Sequence, residues 1–199
     1  MHEYSLNSHN RLVAIYLIAT ISGFLAAYVT HYTQTLSHIT DLPLAAPSGV
    51  LVFFLVFWTF DHFIWRWRLW FWLGLIQVPN IRGRWKGALH TSKDNFINSI
   101  PIELSVTQTY TKIIIQLDSD TSFSQSHMAA IKMLDQTSYE IRWEYFAQPK
   151  TGPESGFRHY GVTYMRLRGK GGNFKKKQSA DYYTEFDRDT SGRITLEPA

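Results

Sequence analysis

From Leu12 to Tyr32 the chain carries no Asp, Glu, Lys or Arg (LVAIYLIATISGFLAAYVTHY). At about 1.5 Å per residue, a helix over this stretch covers the roughly 30 Å hydrocarbon core of a bilayer, so the segment predicts a transmembrane helix. A cleaved signal peptide is the competing reading. No small-residue cleavage site follows a short apolar core, however, and a second apolar segment comes soon after. Ser22 and Gly23 are small enough to let a neighbouring helix approach closely.

Gly49 to Trp65 (GVLVFFLVFWTFDHFIW) predicts a second span, short or tilted, with Asp61 and His62 near its end. An ionisable side chain at membrane depth marks a functional position by default. Here Arg66 and the headgroup zone lie close enough that Asp61 is expected to be solvated there. Five of the seven tryptophans fall between Trp58 and Trp72. Indole rings prefer the interface, half-buried with the N–H wet, so this stretch is expected at a membrane face. Arg11 precedes the first span, Arg66 and Arg68 follow the second, and residues 33–48 contain no Lys or Arg. The positive-inside rule then puts the N-terminus and everything after the second span in the cytoplasm.

Beyond Pro79 the apolar runs stop, and short Thr-, Ile-, Val- and Tyr-rich stretches arrive, punctuated by Gly, Pro, Asn, Asp and Ser. Strands are predicted near Ile81–His90, Ile100–Thr109, Thr111–Asp118, Phe123–Leu134, Tyr139–Phe146, Arg158–Arg168, Gln178–Asp187 and Arg193–Glu197. Their even spacing and hairpin-length gaps argue for an up-and-down meander. Eight such strands suffice to close an antiparallel barrel able to hold one small ligand. The expected division is thus a two-helix transmembrane region over 1–78 and a β-barrel sensor domain over 79–199.

Several classes of chemistry are excluded or unsupported. The chain has no cysteine, which rules out disulfides, thiolate metal sites and cysteine nucleophiles. Its eight histidines are scattered without the spacing of a zinc site, so no metal and no cofactor are expected. No serine elbow, phosphate-binding lysine loop, zinc-protease helix or kinase set is present, and no catalysis is expected. The net charge of +4 lies wholly in the second half. That favours anionic ligands but falls far short of an arm that binds a nucleic acid polymer. The basic, glycine-rich segment 168–177 (RGKGGNFKKK) is expected to be a surface loop between strands, able to touch anionic lipid if it faces the membrane.

Alternation within strands gives the candidate site, because successive side chains point to opposite faces. Tyr139, Ile141, Trp143 and Tyr145 share one face and are expected inside. Tyr160, Val162, Tyr164, Arg166 and Arg168 share a face that mixes apolar and cationic groups. If Tyr164 and Arg166 point inward beside Trp143 and Tyr145, the cavity offers aromatic planes next to a guanidinium. That suits a nucleotide: a stacked base gains about 1–3 kcal/mol, and arginine binds phosphate bidentately. The alternative is that Arg166 and Arg168 face solvent while the tyrosines fill a core. The candidate ligand-binding set is Tyr110, Trp143, Tyr145, Tyr164, Arg166 and Arg168.

The first strand reads Ile81-Arg82-Gly83-Arg84-Trp85-Lys86-Gly87, and Gly83-x-Trp85 resembles the opening signature of lipocalin-like barrels, whose tryptophan closes one barrel end. With two preceding membrane helices, the chain from about residue 10 to 197 resembles the two-transmembrane, β-strand-rich CD-NTase-associated effectors of CBASS, the bacterial antiphage signalling systems built on cyclic oligonucleotides. The resemblance implies a cyclic dinucleotide as ligand, self-association into homo-oligomers, and disruption of the bacterial inner membrane leading to cell death. Two other readings stay open. One is a membrane-tethered lipocalin-like carrier of a lipid or hydrophobic metabolite, which predicts a mostly apolar cavity. The other is a protein-recruiting scaffold, which predicts a tightly packed interior.

Overall fold

The structure is a computed structural model describing residues 1–7, 11–40, 43–135, 137–150, 158–169, 174 and 176–199. It divides into two units, residues 9–77 and residues 1–8 with 78–199. The first eight residues therefore belong with the strands rather than with the helical region expected over 1–78.

In the helical unit, α1 (Arg11–Thr40) runs eight residues past the expected Tyr32 and packs on α2 (Gly49–His62). Ala14, Ile18 and Ser22 are buried on α1, spaced four apart on one face, with Val52 and Phe60 buried on α2. Ser22 Oγ donates to the Ile18 carbonyl oxygen at 2.7 Å, so the hydroxyl is satisfied within its own helix. Gly23 faces open space instead. Ser48 caps α2, its Oγ accepting from Leu51 N–H at 3.2 Å. Most of the remaining apolar side chains of both helices are exposed, including Phe24, Tyr28, Phe54 and Trp58. A core helix of a water-soluble protein would bury them.

Among the described residues only α1 is long and apolar enough to cross a membrane; α2, with 14 residues, is apolar but short. Asp61, expected to be solvated beside Arg66, is instead buried, with His62 Nδ1 at 3.6 Å. Trp65, expected at a membrane face, is also buried. A single turn of 3₁₀-helix (Ile64–Arg66) and the short α3 (Arg68–Trp72) complete the unit.

The second unit is a closed barrel. All eight expected strands form, as β2 (Gly83–Thr91), β3 (Ile100–Gln108), β4 (Lys112–Ser119), β5 (Ser122–Asp135), β6 (Ser138–Pro149), β7 (His159–Arg168), β8 (Gln178–Thr184) and β9 (Ser191–Pro198). They run as an antiparallel meander closed by β2 against β9. A ninth strand, β1 (His2–Leu6), was not expected from the sequence. It lies between β4 and β5, antiparallel to the first and parallel to the second.

One end of the barrel is sealed. Trp85 is buried there, its indole N–H donating to the Ile81 carbonyl at 3.1 Å. Gln108 ties down the chain leading into β2, accepting from Ile81 N–H and donating to the Pro79 carbonyl. Tyr110, Tyr139 and Phe174 fill the same end, the last two ring on edge at 6.0 Å. Of the basic segment 168–177, residues 170–173 and 175 lie outside the described residues.

Candidate functional site

The six sequence candidates do not converge. Trp143 and Tyr145 point inward, 4% and 8% exposed, as β6 alternation requires. Tyr110 is buried at the sealed end, where its carbonyl accepts from the Tyr4 hydroxyl at 2.8 Å. Tyr164, Arg166 and Arg168 point outward. The expectation that Tyr164 and Arg166 join Trp143 inside is therefore overturned. On β7 the inward face belongs to Gly161, Thr163, Met165 and Leu167.

The reason lies across the β6–β7 ladder. Tyr145 pairs with Gly161, and a Cβ added at Gly161 would collide with the Tyr145 hydroxyl and ring. Only glycine lets that ring lie flat on the wall. Gly192 does the same for Tyr182 on β8, its partner in register.

What Trp143 and Tyr145 do share is a cavity of about 250 Å³ toward the open end. Tyr182 adds a third aromatic ring, and Thr163, Ser124 and Thr184 add hydroxyls. Two loop cations and a histidine complete the lining: Lys93, Arg188 and His159. Lys93 sits in a 3₁₀ turn (Ser92–Asp94) capped by the Thr91 hydroxyl, which accepts its N–H at 3.3 Å. Arg188 follows β8 in a turn closed by its own N–H donating to the Glu185 carbonyl at 3.1 Å. Its Nη1 donates to His159 Nδ1 at 3.0 Å. No carboxylate is among the described lining residues.

Burial pushes the Tyr145 phenol well above its ordinary value of 10.0, with Tyr182 adding to the rise and Arg188 opposing it. Burial likewise raises Tyr182, against the Thr91 hydrogen bond and Arg188, and the nearby Asp94 charge, outside the lining, adds to the rise. Both rings are neutral hydrogen-bonding platforms at neutral pH. Such a cavity holds aromatic faces for stacking and cations for a phosphate, in a low-dielectric setting that strengthens the charge interaction.

Tyr164 and Arg166, but not Arg168, lie along a second concavity, about 770 Å³, over the outer face of β5–β8. Arg142 Nε donates to Glu140 Oε1 at 2.7 Å, and its guanidinium stands 5.1 Å from the Tyr164 ring centre. Arg166 Nε lies 3.9 Å from the other Glu140 oxygen. Both arginines are thus shared with a largely buried carboxylate. Glu144, Asp181 and Glu185 also line this groove, leaving it with an acidic surplus that repels an anion. The groove has the room for a nucleotide, but the cavity has the chemistry.

Lys93, Arg188, Tyr182 and His159 were not singled out from the sequence. The two cations come from loops, where no periodicity assigns a face. Gly192, whose place in β9 marks the close approach of Tyr182, fell just outside the strand expected over Arg193–Glu197.

A family model described as Cap15, cyclic dinucleotide receptor domain, matches residues 76–198. Along the whole chain, CD-NTase-associated protein 15 of Yersinia aleksiciae is 29% identical over 207 positions, covering 98% of this chain and 96% of the relative.

Proposed function

This chain belongs to the Cap15 cyclic dinucleotide receptor family, and on that premise we propose that it is a CBASS antiphage effector whose barrel cavity takes the cyclic dinucleotide. The observation that carries the choice of cavity is its lining: three aromatic rings, two loop cations and no carboxylate among the described residues. In this reading Trp143 and Tyr182 stack the bases, while Lys93 and Arg188 meet the two phosphates. Binding drives self-association, and the assembled helices breach the inner membrane without catalysis. A lipid carrier predicts a mostly apolar lining, and a scaffold predicts a filled interior. Leu89, Ile100, Ile102, Leu117 and Ile194 also line the cavity, and it is Lys93 and Arg188 that favour an anionic ligand over a lipid.

We further infer that α1 and α2 form a two-span hairpin with both termini cytoplasmic. The support comes from the barrel. Because β1 pairs with β4 and β5, residues 2–6 and residues 78–199 occupy the same side of any bilayer. A chain that crosses once through α1 must then cross back before Val78. At about 1.5 Å per residue α2 covers only about 21 Å, so the return span is completed by local thinning or by Ile64–Arg66 and the tryptophans after it.

Thermal unfolding of the full chain in detergent, with a panel of cyclic dinucleotides and their linear counterparts, tests the ligand. At about 100 times its dissociation constant, a ligand adds about 2.7 kcal/mol, a shift of a few degrees. A shift with a cyclic dinucleotide, absent with linear analogues, supports the reading. No shift with any cyclic dinucleotide, from a folded protein, removes it.

A further inference from the structure

β4 and β5 start as a plain hairpin, with Gln116, Leu117 and Asp118 paired to Gln125, Ser124 and Phe123. They then part at an irregularity between Ser126 and Met128. Ser126 sits at the fork, where its Oγ accepts from Ile115 N–H at 2.9 Å and bonds His2 Nε2 at 2.8 Å. Beyond it β1 fills the gap. His2 and Glu3 face Ile113 and Lys112 on one side, and Tyr4, Ser5 and Leu6 face Ala129, Ala130 and Ile131 on the other. The matched receptor region starts at residue 76, yet this strand comes from before the first helix.

We propose that the slot between β4 and β5 is a strand-acceptor site, filled at rest by residues 2–7 of its own chain and, once the cavity is filled, by residues 2–7 of a second copy. The proposal rests on the cavity reading above and names how occupancy becomes assembly.

The cavity must widen to work. Its 250 Å³ lies below the roughly 300–1,000 Å³ of pockets that enclose drug-sized ligands, and a cyclic dinucleotide is large for that class. A hydrogen-bonded barrel widens only by parting a seam. The β3–β4 seam is paired from Ile102–Ser119 through Gln108–Ile113, whereas β1 pairs in register with β4 at His2 and Glu3, with the Tyr4 hydroxyl on the Tyr110 carbonyl just before β4.

The β1 seam does not line the cavity, but it is joined to it through a row of paired residues of which Trp143, Thr163 and Tyr182 are cavity lining. One inward row runs around the barrel through Tyr4, Ala129, Trp143, Thr163 and Tyr182, each paired in register with the next. A ligand pressing on Trp143 is therefore one small residue away from Tyr4.

A second copy is the occupant for two reasons. The slot recognises main-chain hydrogen bonds and one inward tyrosine, so any chain of this sequence satisfies it. Copies inserted alike in one bilayer present their N-terminal strands on the same side at high local concentration. Where each copy gives its strand to the next, the contact is heterologous and builds a ring or a filament, whereas reciprocal exchange between two copies closes as a dimer.

The chain has no cysteine, so introduced ones report without background. Ser5 and Ala130 are paired neighbours, within the reach of a disulfide. Full-length S5C/A130C in liposomes is expected to form the within-chain disulfide on oxidation without ligand. Full-length S5C and full-length A130C, reconstituted together, are expected to cross-link between chains only after addition of the cyclic dinucleotide that raises the melting temperature of the same sample. The double variant, oxidised beforehand, keeps that melting shift, loses assembly, and regains it with reductant. A melting shift without cross-linking between chains, or assembly of the oxidised form at the reduced rate, overturns this proposal and leaves the cavity reading standing. No melting shift with any cyclic dinucleotide sinks both.

Discussion

At Arg188 and Arg166 the same side chain has opposite prospects. Arg188 stands at the cavity mouth beside His159, while Arg166 lies on the outer wall near Glu140. A charge-assisted hydrogen bond contributes about 1.5–3 kcal/mol. Arg188→Ala is therefore expected to weaken cyclic dinucleotide binding roughly ten- to a hundredfold, and Arg166→Ala to leave it unchanged, by calorimetry on the full chain. The reverse pattern would move the ligand to the outer groove. Tyr145 makes a pH prediction. Its folded-state value lies above the unfolded 10.0, so the folded chain keeps a proton that the unfolded chain loses. The stability this confers is complete below pH 10 and falls above it, by about 1.4 kcal/mol per pH unit. Tyr145→Phe is expected to flatten that alkaline decline in melting temperature; an equally steep decline would mean the phenol ionises freely. These two residues also show what the sequence reveals. Tyr145 was legible as inward because Glu140, Arg142 and Glu144 occupy the other face of its strand. Arg166 was not legible as outward, because β7 carries apolar residues on both faces and only the pairing of Gly161 with Tyr145 decides between them. Lys93 and Arg188 sit in loops, beyond the reach of any period.

Among the elements, β1 was the one the sequence hid. His2 to Leu6 is too short to show alternation, and it abuts an apolar run that draws attention to itself. The eight longer strands were legible because each carries its own inward stripe bounded by turn residues. Ser126 and Met128 break that stripe in β5, and the break marks the fork that makes room for β1. Within β1 nearly all the burial falls on Tyr4, 2% exposed, whose hydroxyl donates to the Tyr110 carbonyl. Truncating a buried large side chain costs about 3–5 kcal/mol, while removing one hydroxyl that serves a carbonyl costs about 1. Tyr4→Ala is accordingly expected to release β1 and Tyr4→Phe to keep it. Hydrogen exchange separates them: the Ile131 carbonyl now accepts from Asn7 N–H, and that amide and its β1 neighbours lose protection in Tyr4→Ala alone. Protection unchanged in Tyr4→Ala would show that main-chain pairing holds the strand without its tyrosine.

For the whole molecule, the barrel constrains the membrane more tightly than hydropathy does. Hydropathy gives one clear span in α1 and a short apolar helix after it, a pattern compatible with one crossing or two. Strand pairing removes that freedom, because a β1 held between β4 and β5 cannot lie across a bilayer from them. On the proposed reading that α1 crosses the bilayer, the number of crossings between residues 7 and 78 is then even, which is the two-span hairpin put forward above. In that proposal Arg11, Arg66 and Arg68 share one side and residues 33–48 carry no Lys or Arg, which favours the cytoplasm as the side of the barrel. Single cysteines in this cysteine-free chain test it. Glu3→Cys, Ala46→Cys and Asp187→Cys all fall at exposed positions. In spheroplasts a membrane-impermeant maleimide is expected to label Ala46→Cys at once, and the other two only after the membrane is permeabilised. Labelling of Glu3→Cys with Ala46→Cys, but not Asp187→Cys, would place the termini on opposite faces and expel β1 from the barrel, removing the two-span hairpin and the strand-exchange mechanism together. Labelling of all three at the outset would mean that α1 lies on the surface rather than through it.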